Sequence, residues 1–269
     1  MLITIFLSLT LSLLYLKFHK RVPILMYHRI AEIQGDRNAL PKEKFEEQLS
    51  YLSAKGYHTI TLDSLYAYYT ERTPLPKKPI VLTFDDGYKD NLTDALPILK
   101  KYNMVATVFP ISGWVGRENK WENFNKKPTT TMTWPDLKMW LEAGMKIGAH
   151  TVNHPFLTKC SGQLLTNELL TSKQLLEEHL SVEVNYLCYP YGNFNAATKI
   201  AAQQTGYKMA LAIFDHVPLW SQDLYALPRI PIPAKQSIWE FKLKVSSIHL
   251  VFVVLRKWER NFKRALRSK

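Results

Sequence analysis

Apolar residues along the chain follow two rhythms. Short runs such as Ile24-Leu25-Met26-Tyr27 and Ile80-Val81-Leu82-Thr83-Phe84 are rich in apolar, β-branched and aromatic side chains, which predicts buried strands. Between such runs, apolar positions three and four apart predict amphipathic helices. Over residues 42–55, Phe45, Leu49 and Leu52 share one face and Gly56 supplies the stop. The same reading gives an extended piece at 58–61, a helix capped by Asp63 to about residue 69, and a helix over 90–102. A strand at 104–110 follows, then a helix at 134–143 with Pro135 in its first turn and Gly144 at its end. Strands at 145–149 and 186–189, helices at 163–179 and 196–205, and extended pieces at 207–212 and 225–230 complete the body. Strands alternating with helices predict βα units and a parallel sheet, open or closed into a barrel. Polar residues at the strand ends then gather on one rim.

Two of these strand ends carry chemistry. The run 80–84 stops in Asp85, Asp86 and Gly87. Neighbouring strand side chains diverge, so the two carboxylates face different partners and can take different roles. The strand 145–149 runs into His150-Thr151-Val152-Asn153-His154. Two histidines on one loop can converge on a point where a nearby carboxylate completes a facial set for a divalent cation. The pair is not a zincin helix, because Thr151 stands where a glutamate must follow the first histidine and Pro155 comes directly after the second. Taken alone, Asp-Asp-Gly reads as a strand end with a turn, and His-x-x-x-His as packing; together they point to a metal site.

Thr83 to Tyr88, His150 to His154 and Tyr189-Pro190-Tyr191-Gly192 resemble, in this order, three motifs of the polysaccharide deacetylase family, also called the NodB-homology or carbohydrate esterase family 4 group. The resemblance covers roughly residues 22–233. The stretch Val22-Pro23-Ile24-Leu25-Met26-Tyr27-His28-Arg29-Ile30 is similar to the branch that contains poly-N-acetylglucosamine deacetylases. It implies an α/β fold, a distorted, incomplete (β/α) barrel of about seven strands. It also implies a metal-dependent hydrolase that removes N-acetyl groups from an N-acetylated polysaccharide or lipid-linked amino sugar and releases acetate. Asp86, His150 and His154 would be ligands of a divalent metal ion, zinc or another cation, which lowers the pKa of a bound water. Asp85 would be the general base, and the backbone N–H of Tyr191 would help to stabilise the oxyanion. Expelling an amine demands a proton donor, and the resemblance points to His28. The partner would be an N-acetylated glycan. A catalytically silent carbohydrate-binding or membrane scaffold is the alternative, although a binding module has no use for a metal set beside a separate base.

Three departures from the family pattern shift the roles. Many members carry an arginine shortly before the third motif, where this chain has Asn185, Tyr186, Leu187 and Cys188; Arg229 is then the candidate to hold Asp85. Many carry a late His-Asp pair as the acid, whereas His249 is followed by Leu250, which strengthens the case for His28. No tryptophan accompanies Arg229 to wall an acetyl pocket, which leaves Leu187, Tyr189 or Trp114. The two cysteines, Cys160 and Cys188, make no disulfide framework and read as small apolar residues.

Charge divides the chain into three parts: an N-terminal segment (1–21), a catalytic body (22–234) and a tail (235–269). The first 21 residues hold three basic side chains and no acid; residues 235–269 hold ten basic and two acidic ones, so the body is close to +1 of the formal +12. A nucleic-acid groove needs its charge on the folded body, so no nucleic acid is expected. Residues 2–16 carry no charge and are followed by Lys17, Lys20 and Arg21. They read as an uncleaved single-pass membrane anchor, since the segment lacks the basic start and the cleavage site of a signal peptide. The tail mixes Trp239, Phe241, Leu243, Val251, Phe252, Leu255 and Trp258 with Lys and Arg, the composition of a basic amphipathic helix on an anionic membrane surface. The flanking charges favour a cytoplasmic body, whereas most of the resembled family works outside the cell, and the membrane side is left open.

Overall fold

The structure, a computed structural model, describes residues 21–119, 129–214, 216–219, 221–246 and 249. Residues 23–236 form one compact unit. Its strands are β1 (Ile24–Tyr27), β2 (Arg29–Ile30), β3 (Ala39–Leu40), β4 (His58–Thr59), β5 (Pro79–Asp86), β6 (Thr107–Pro110), β7 (Lys146–Ile147), β8 (Tyr186–Cys188), β9 (Met209–Ile213) and β10 (Leu227–Pro231). The helices are α1 (Lys42–Ala54), α2 (Leu62–Glu71), α3 (Leu96–Lys101), α4 (Trp134–Glu142), α5 (Gly162–Leu180) and α6 (Ala196–Gln204).

The main sheet runs β7-β6-β5-β1-β10-β9-β8, with β4 attached to β5, and β2 and β3 make a separate parallel pair. Every pairing in the main sheet is parallel, as alternating strands and helices require. The ends of the row meet. Ala149, just beyond β7, donates its N–H to Tyr186 O at 2.8 Å and accepts from Cys188 N at 2.8 Å. The expected incomplete barrel is therefore nearly closed, with one parallel bridge at the β7–β8 seam. Of the predicted strand 145–149 only 146–147 form β7; Gly148 N still donates to Val108 O at 2.9 Å, and Ala149 makes the bridge. Gly148 is required there, because a Cβ would stand 2.2 Å from Phe109 Cε1 and 2.9 Å from Tyr186 O.

Strand alternation sorts the two layers. On β5, Phe84 faces outward and meets Tyr27, Phe45 of α1 and Trp140 of α4, with ring centroids 5.4, 5.8 and 6.0 Å away. Thr83 and Asp85, one residue to either side, face inward. The inward layer carries the polar groups, so the barrel interior is where their hydrogen bonds must be found.

Two helix starts differ from the expected ones. Thr61, not Asp63, caps α2 by accepting from Ser64 N, and Asp63 in the first turn accepts from Tyr186 OH at 2.5 Å instead. The helix expected over 90–102 opens with a π-turn at Asn91–Ala95 before α3. Pro97 has no N–H to give to the carbonyl four residues back, so the α-helical ladder restarts near it. The wider turn leaves Asn91 buried with its Nδ2 donating to His28 O at 2.7 Å.

The expected anchor (residues 2–16), residues 120–128 and most of the tail lie outside the described residues. No helix among the described residues is long and apolar enough to cross a membrane. Of the tail, a short helix α7 (Ile238–Val245) is described, with a capping box between Ser237 and Glu240. Trp239 on it is 76 % exposed, with Lys242 Nζ 4.7 Å over its ring.

Candidate active site

Asp86, His150 and His154 converge on one buried point at the rim. His150 Nε2 and His154 Nε2 are 3.1 Å apart, and Asp86 Oδ1 lies 3.5 and 3.7 Å from them. Donors about 2.1 Å from one tetrahedral ion stand roughly 3.4 Å apart, so the three spacings fit the edges of a coordination shell. The carbonyl of Cys188 can only accept, so His150 Nδ1, 2.8 Å away, carries the ring proton and Nε2 keeps a lone pair. Burial pushes the His150 imidazole down to about 4 and that of His154 well below its ordinary value, so both are neutral, as metal ligands must be.

The backbone is strained where it delivers these groups. Of the eight non-glycine residues with positive φ among the described residues, four lie at the site: Asp86, Thr151, His154 and Tyr191. Each costs about 1–3 kcal/mol and persists only where surrounding contacts over-determine it. At Asp86, φ is 70°, which breaks the strand alternation and separates its carboxylate from that of Asp85. The 150–154 loop is fastened on several sides: Ser112 N donates to Thr151 O at 3.1 Å, Gly113 N to Val152 O at 3.0 Å, and His154 N to Thr151 Oγ1 at 3.0 Å. Thr158 Oγ1 reaches Asn193 Oδ1, joining this segment to the turn that holds Tyr191.

Asp85 faces the barrel interior and meets Arg229. Arg229 stands on β10, two strands from β5 with β1 between, and its guanidinium spans that distance inside the barrel. It donates to Asp85 Oδ1 at 2.6 Å and Oδ2 at 2.7 Å, a bidentate fork, and also to Thr83 Oγ1 at 3.2 Å. Burial by itself raises the Asp85 carboxyl, but the charge and hydrogen bonds of Arg229 outweigh it and hold Asp85 well below the usual carboxylate range. Cys188 is not the small apolar filler expected: Arg229 also donates to its Sγ at 2.6 Å, and Sγ lies 3.5 Å from Asp85 Oδ2. Burial pushes that thiol up, so it is neutral and a weak donor.

His28 follows β1 at the same rim. Burial pushes its imidazole down, while the Asp85 charge pulls it up and Arg229 opposes. Its own charge acts in turn on His150 and His154, so these five groups share one electrostatic neighbourhood. Tyr191, 42 % exposed, stacks on Phe156 with centroids 4.1 Å apart and sets its ring against His154 at 4.5 Å. Of the three residues considered for an acetyl wall, Leu187 lies beside inward-facing Cys188 and so faces the other way, and Tyr189 is stacked on Phe194. Trp114 stands in the rim turn next to Gly113. His249 is buried beside Lys244 and Arg21, outside the 23–236 unit.

Glu168 on α5 escaped the sequence reading. The residue is 5 % exposed, and its carboxylate accepts from the 150–154 loop. The signal was present: Glu168 falls in the stripe Leu165, Leu169, Ser172, Leu176 that α5 buries, where an unpaired acid does not belong.

The family model for polysaccharide deacetylases matches residues 72–210, a stretch that contains Asp85, Asp86, His150, His154 and Tyr191 but neither His28 nor Arg229. YxkH of Bacillus subtilis (strain 168), provisionally named a polysaccharide deacetylase, is 32 % identical over 228 residues, covering 85 % of this chain and 77 % of its own. The poly-beta-1,6-N-acetyl-D-glucosamine N-deacetylase of Staphylococcus aureus (strain MSSA476) is 27 % identical over 205 residues, 72 % of this chain and 68 % of its own. Among solved structures, Streptococcus pyogenes deacetylase PplD in complex with acetate superposes with a TM-score of 0.71 at 27 % identity, covering 84 % of this chain and 98 % of that one. IcaB from Ammonifex degensii gives a TM-score of 0.71 at 25 % identity, with 84 % and 97 % covered. A parallel barrel of this topology, a buried Asp-His-His cluster on its rim and a match across half of the sequence have one common explanation: the chain belongs to the polysaccharide deacetylase family.

Proposed function

We propose that this chain is a metal-dependent N-deacetylase that hydrolyses the acetamide of an N-acetylated polysaccharide or lipid-linked amino sugar and releases acetate. The observation that carries the reading is the separation of two buried carboxylates, Asp86 among the histidines and Asp85 locked on Arg229. Names borne by relatives, a poly-N-acetylglucosamine deacetylase and a deacetylase holding acetate, support the substrate class. When bound, the cation, zinc by its donor set, supplies Lewis acidity and a water of lowered pKa. Asp85 would act as the general base, taking a proton from the water that attacks the acetyl carbon. Held low by Arg229, Asp85 is a weak base and does not keep the proton. His28, half-buried and with its pKa lowered by desolvation, starts neutral, receives a proton while Asp85 favours its cationic form, and delivers it to the nitrogen as the C–N bond breaks. The backbone N–H of Tyr191 serves the oxyanion.

His28→Ala tests the acid. The variant should keep its metal and lose about 10²–10⁴-fold in turnover of the N-acetyl substrate, while an aryl acetate, whose leaving group needs little protonation, should be hydrolysed nearly as well as by the wild type. Equal loss on both substrates would remove His28 from the acid role.

Membrane attachment through residues 1–21 and the tail belongs to the same proposal and rests on charge. Residues 235–269, as a peptide, should sediment with anionic vesicles, each near-surface Lys or Arg contributing about 1 kcal/mol. The binding should weaken from 0.1 to 1 M salt, as the Debye length falls from about 10 to about 3 Å. Equal sedimentation with neutral vesicles, or no effect of salt, would count against an electrostatic anchor.

A further inference from the structure

We propose that Glu168 is the positioning residue that holds the two histidines in register for metal capture; this rests on the metal-site reading above. His150 and His154 are four residues apart on a loop, not a helix, so nothing in local secondary structure aims their rings at a common point. The loop bends through positive φ at Thr151 (66°) and His154 (59°), which isolates Val152 and Asn153 between two strained residues. Glu168 grips that pair. Its Oε2 accepts from Val152 N at 3.0 Å and Asn153 N at 2.9 Å, and its Oε1 accepts from Asn153 Nδ2 at 2.7 Å.

A buried carboxylate accepting three N–H groups from two consecutive residues fixes both the position and the rotation of the short segment joining the ligands. Hydrogen bonds to an ionised acceptor are about twice as strong as neutral ones, which suits them to offset the backbone strain on either side. The carboxylate comes from α5, a 19-residue helix anchored by its own buried stripe, so the grip is tied to a rigid element. His150 has a separate brace in the Cys188 carbonyl, whereas the main-chain turn that presents His154 lies directly after the gripped pair. Loss of Glu168 should therefore let the His154 side of the cluster drift while the barrel stays closed.

The test uses the full chain and compares wild type, Glu168→Ala, Glu168→Asp and Glu168→Gln. Zn²⁺ affinity is read by competition with a chromophoric chelator, coordination by the visible absorption of the Co²⁺-loaded protein, and fold by thermal unfolding of the metal-free form. Glu168→Ala should bind Zn²⁺ about 10–100-fold more weakly, the range for loss of a group that orients a ligand. Its Co²⁺ spectrum at saturation should differ from wild type. Glu168→Asp keeps the charge but withdraws the carboxylate by one methylene, and should also weaken binding. Glu168→Gln keeps the reach, and with the Asn153 amide turned to accept from it should bind Zn²⁺ more tightly than either the Ala or the Asp variant. Wild-type affinity and spectrum in folded Ala and Asp variants would overturn the inference. So would loss of fold in both that saturating Zn²⁺ does not relieve, since Glu168 would then be a fold anchor only. A wild-type protein that binds neither Zn²⁺ nor Co²⁺ would bring down the metal-site reading itself, a result distinct from either.

Discussion

Asp86→Ala should lose bound Zn²⁺, whereas Asp85→Asn should keep it and lose turnover by about 10²–10⁴-fold, the usual contribution of a positioned base. The difference follows from where the two side chains point. Asp86 Oδ1 sits 3.5 Å and 3.7 Å from the two imidazole nitrogens, so its removal leaves two neutral donors and no charge to offset that of the cation. Asp85 is turned away onto Arg229, and an asparagine there still offers one acceptor to the guanidinium but cannot take a proton. Metal content after dialysis and acetate release measured on the same preparations check both halves. Equal metal loss in the two variants would end the division of labour.

The second large effect belongs to Arg229. Arg229→Met roughly fills the volume but strands Asp85 as a buried carboxylate without its cation, which should cost about 3–5 kcal/mol of unfolding free energy at pH 7. In the wild type Asp85 is held below its unfolded value, so it contributes stability above an unfolded pKa of about 3.9 and loses it as pH falls through the folded value. In the variant burial, the largest influence on Asp85, outweighs the weaker pull of His150 and His28, the folded pKa rises above the unfolded one, and a penalty grows as pH climbs from about 3.9. The two proteins should therefore differ most near neutrality and converge in acid. Urea unfolding between pH 4 and 8 would reveal this. Adding Asp85→Asn to Arg229→Met should restore much of the stability and none of the activity. A stability gap independent of pH would mean that Arg229 matters for packing and not for the carboxylate it holds.

Much of the candidate site is legible along the chain because its parts are local. The Asp85-Asp86-Gly87 strand end and the His150 to His154 loop are contiguous segments following apolar runs, and the alternation of strand and helix already requires a parallel sheet with its strand ends on one rim. Period-2 divergence predicts different partners for Asp85 and Asp86, and the positive φ of Asp86 completes their separation in the fold. Helix α4 reads off its sequence through Pro135 and Gly144, since a proline in a first turn and a glycine beyond a last one act on their own neighbours.

What the sequence could not supply are relations across the barrel. Closure at the seam depends on Ala149 meeting Tyr186 and Cys188, an encounter set by the shear of the whole sheet and not by residues 145–149. Cys188 reads as a small apolar residue because its polar role exists only once Arg229 and Asp85, 144 positions apart in sequence, are brought together around it. Glu168 could be noticed as a charge on an apolar stripe, but its partner is backbone N–H, which every residue possesses and no sequence marks. Strand ends, turn chemistry and the candidate ligands come from short-range rules that a chain carries wherever it goes. The pairing of a buried charge is fixed by which atoms lie within about 3 Å after folding, where the low dielectric leaves a carboxylate no water to fall back on, and only the tertiary structure decides that.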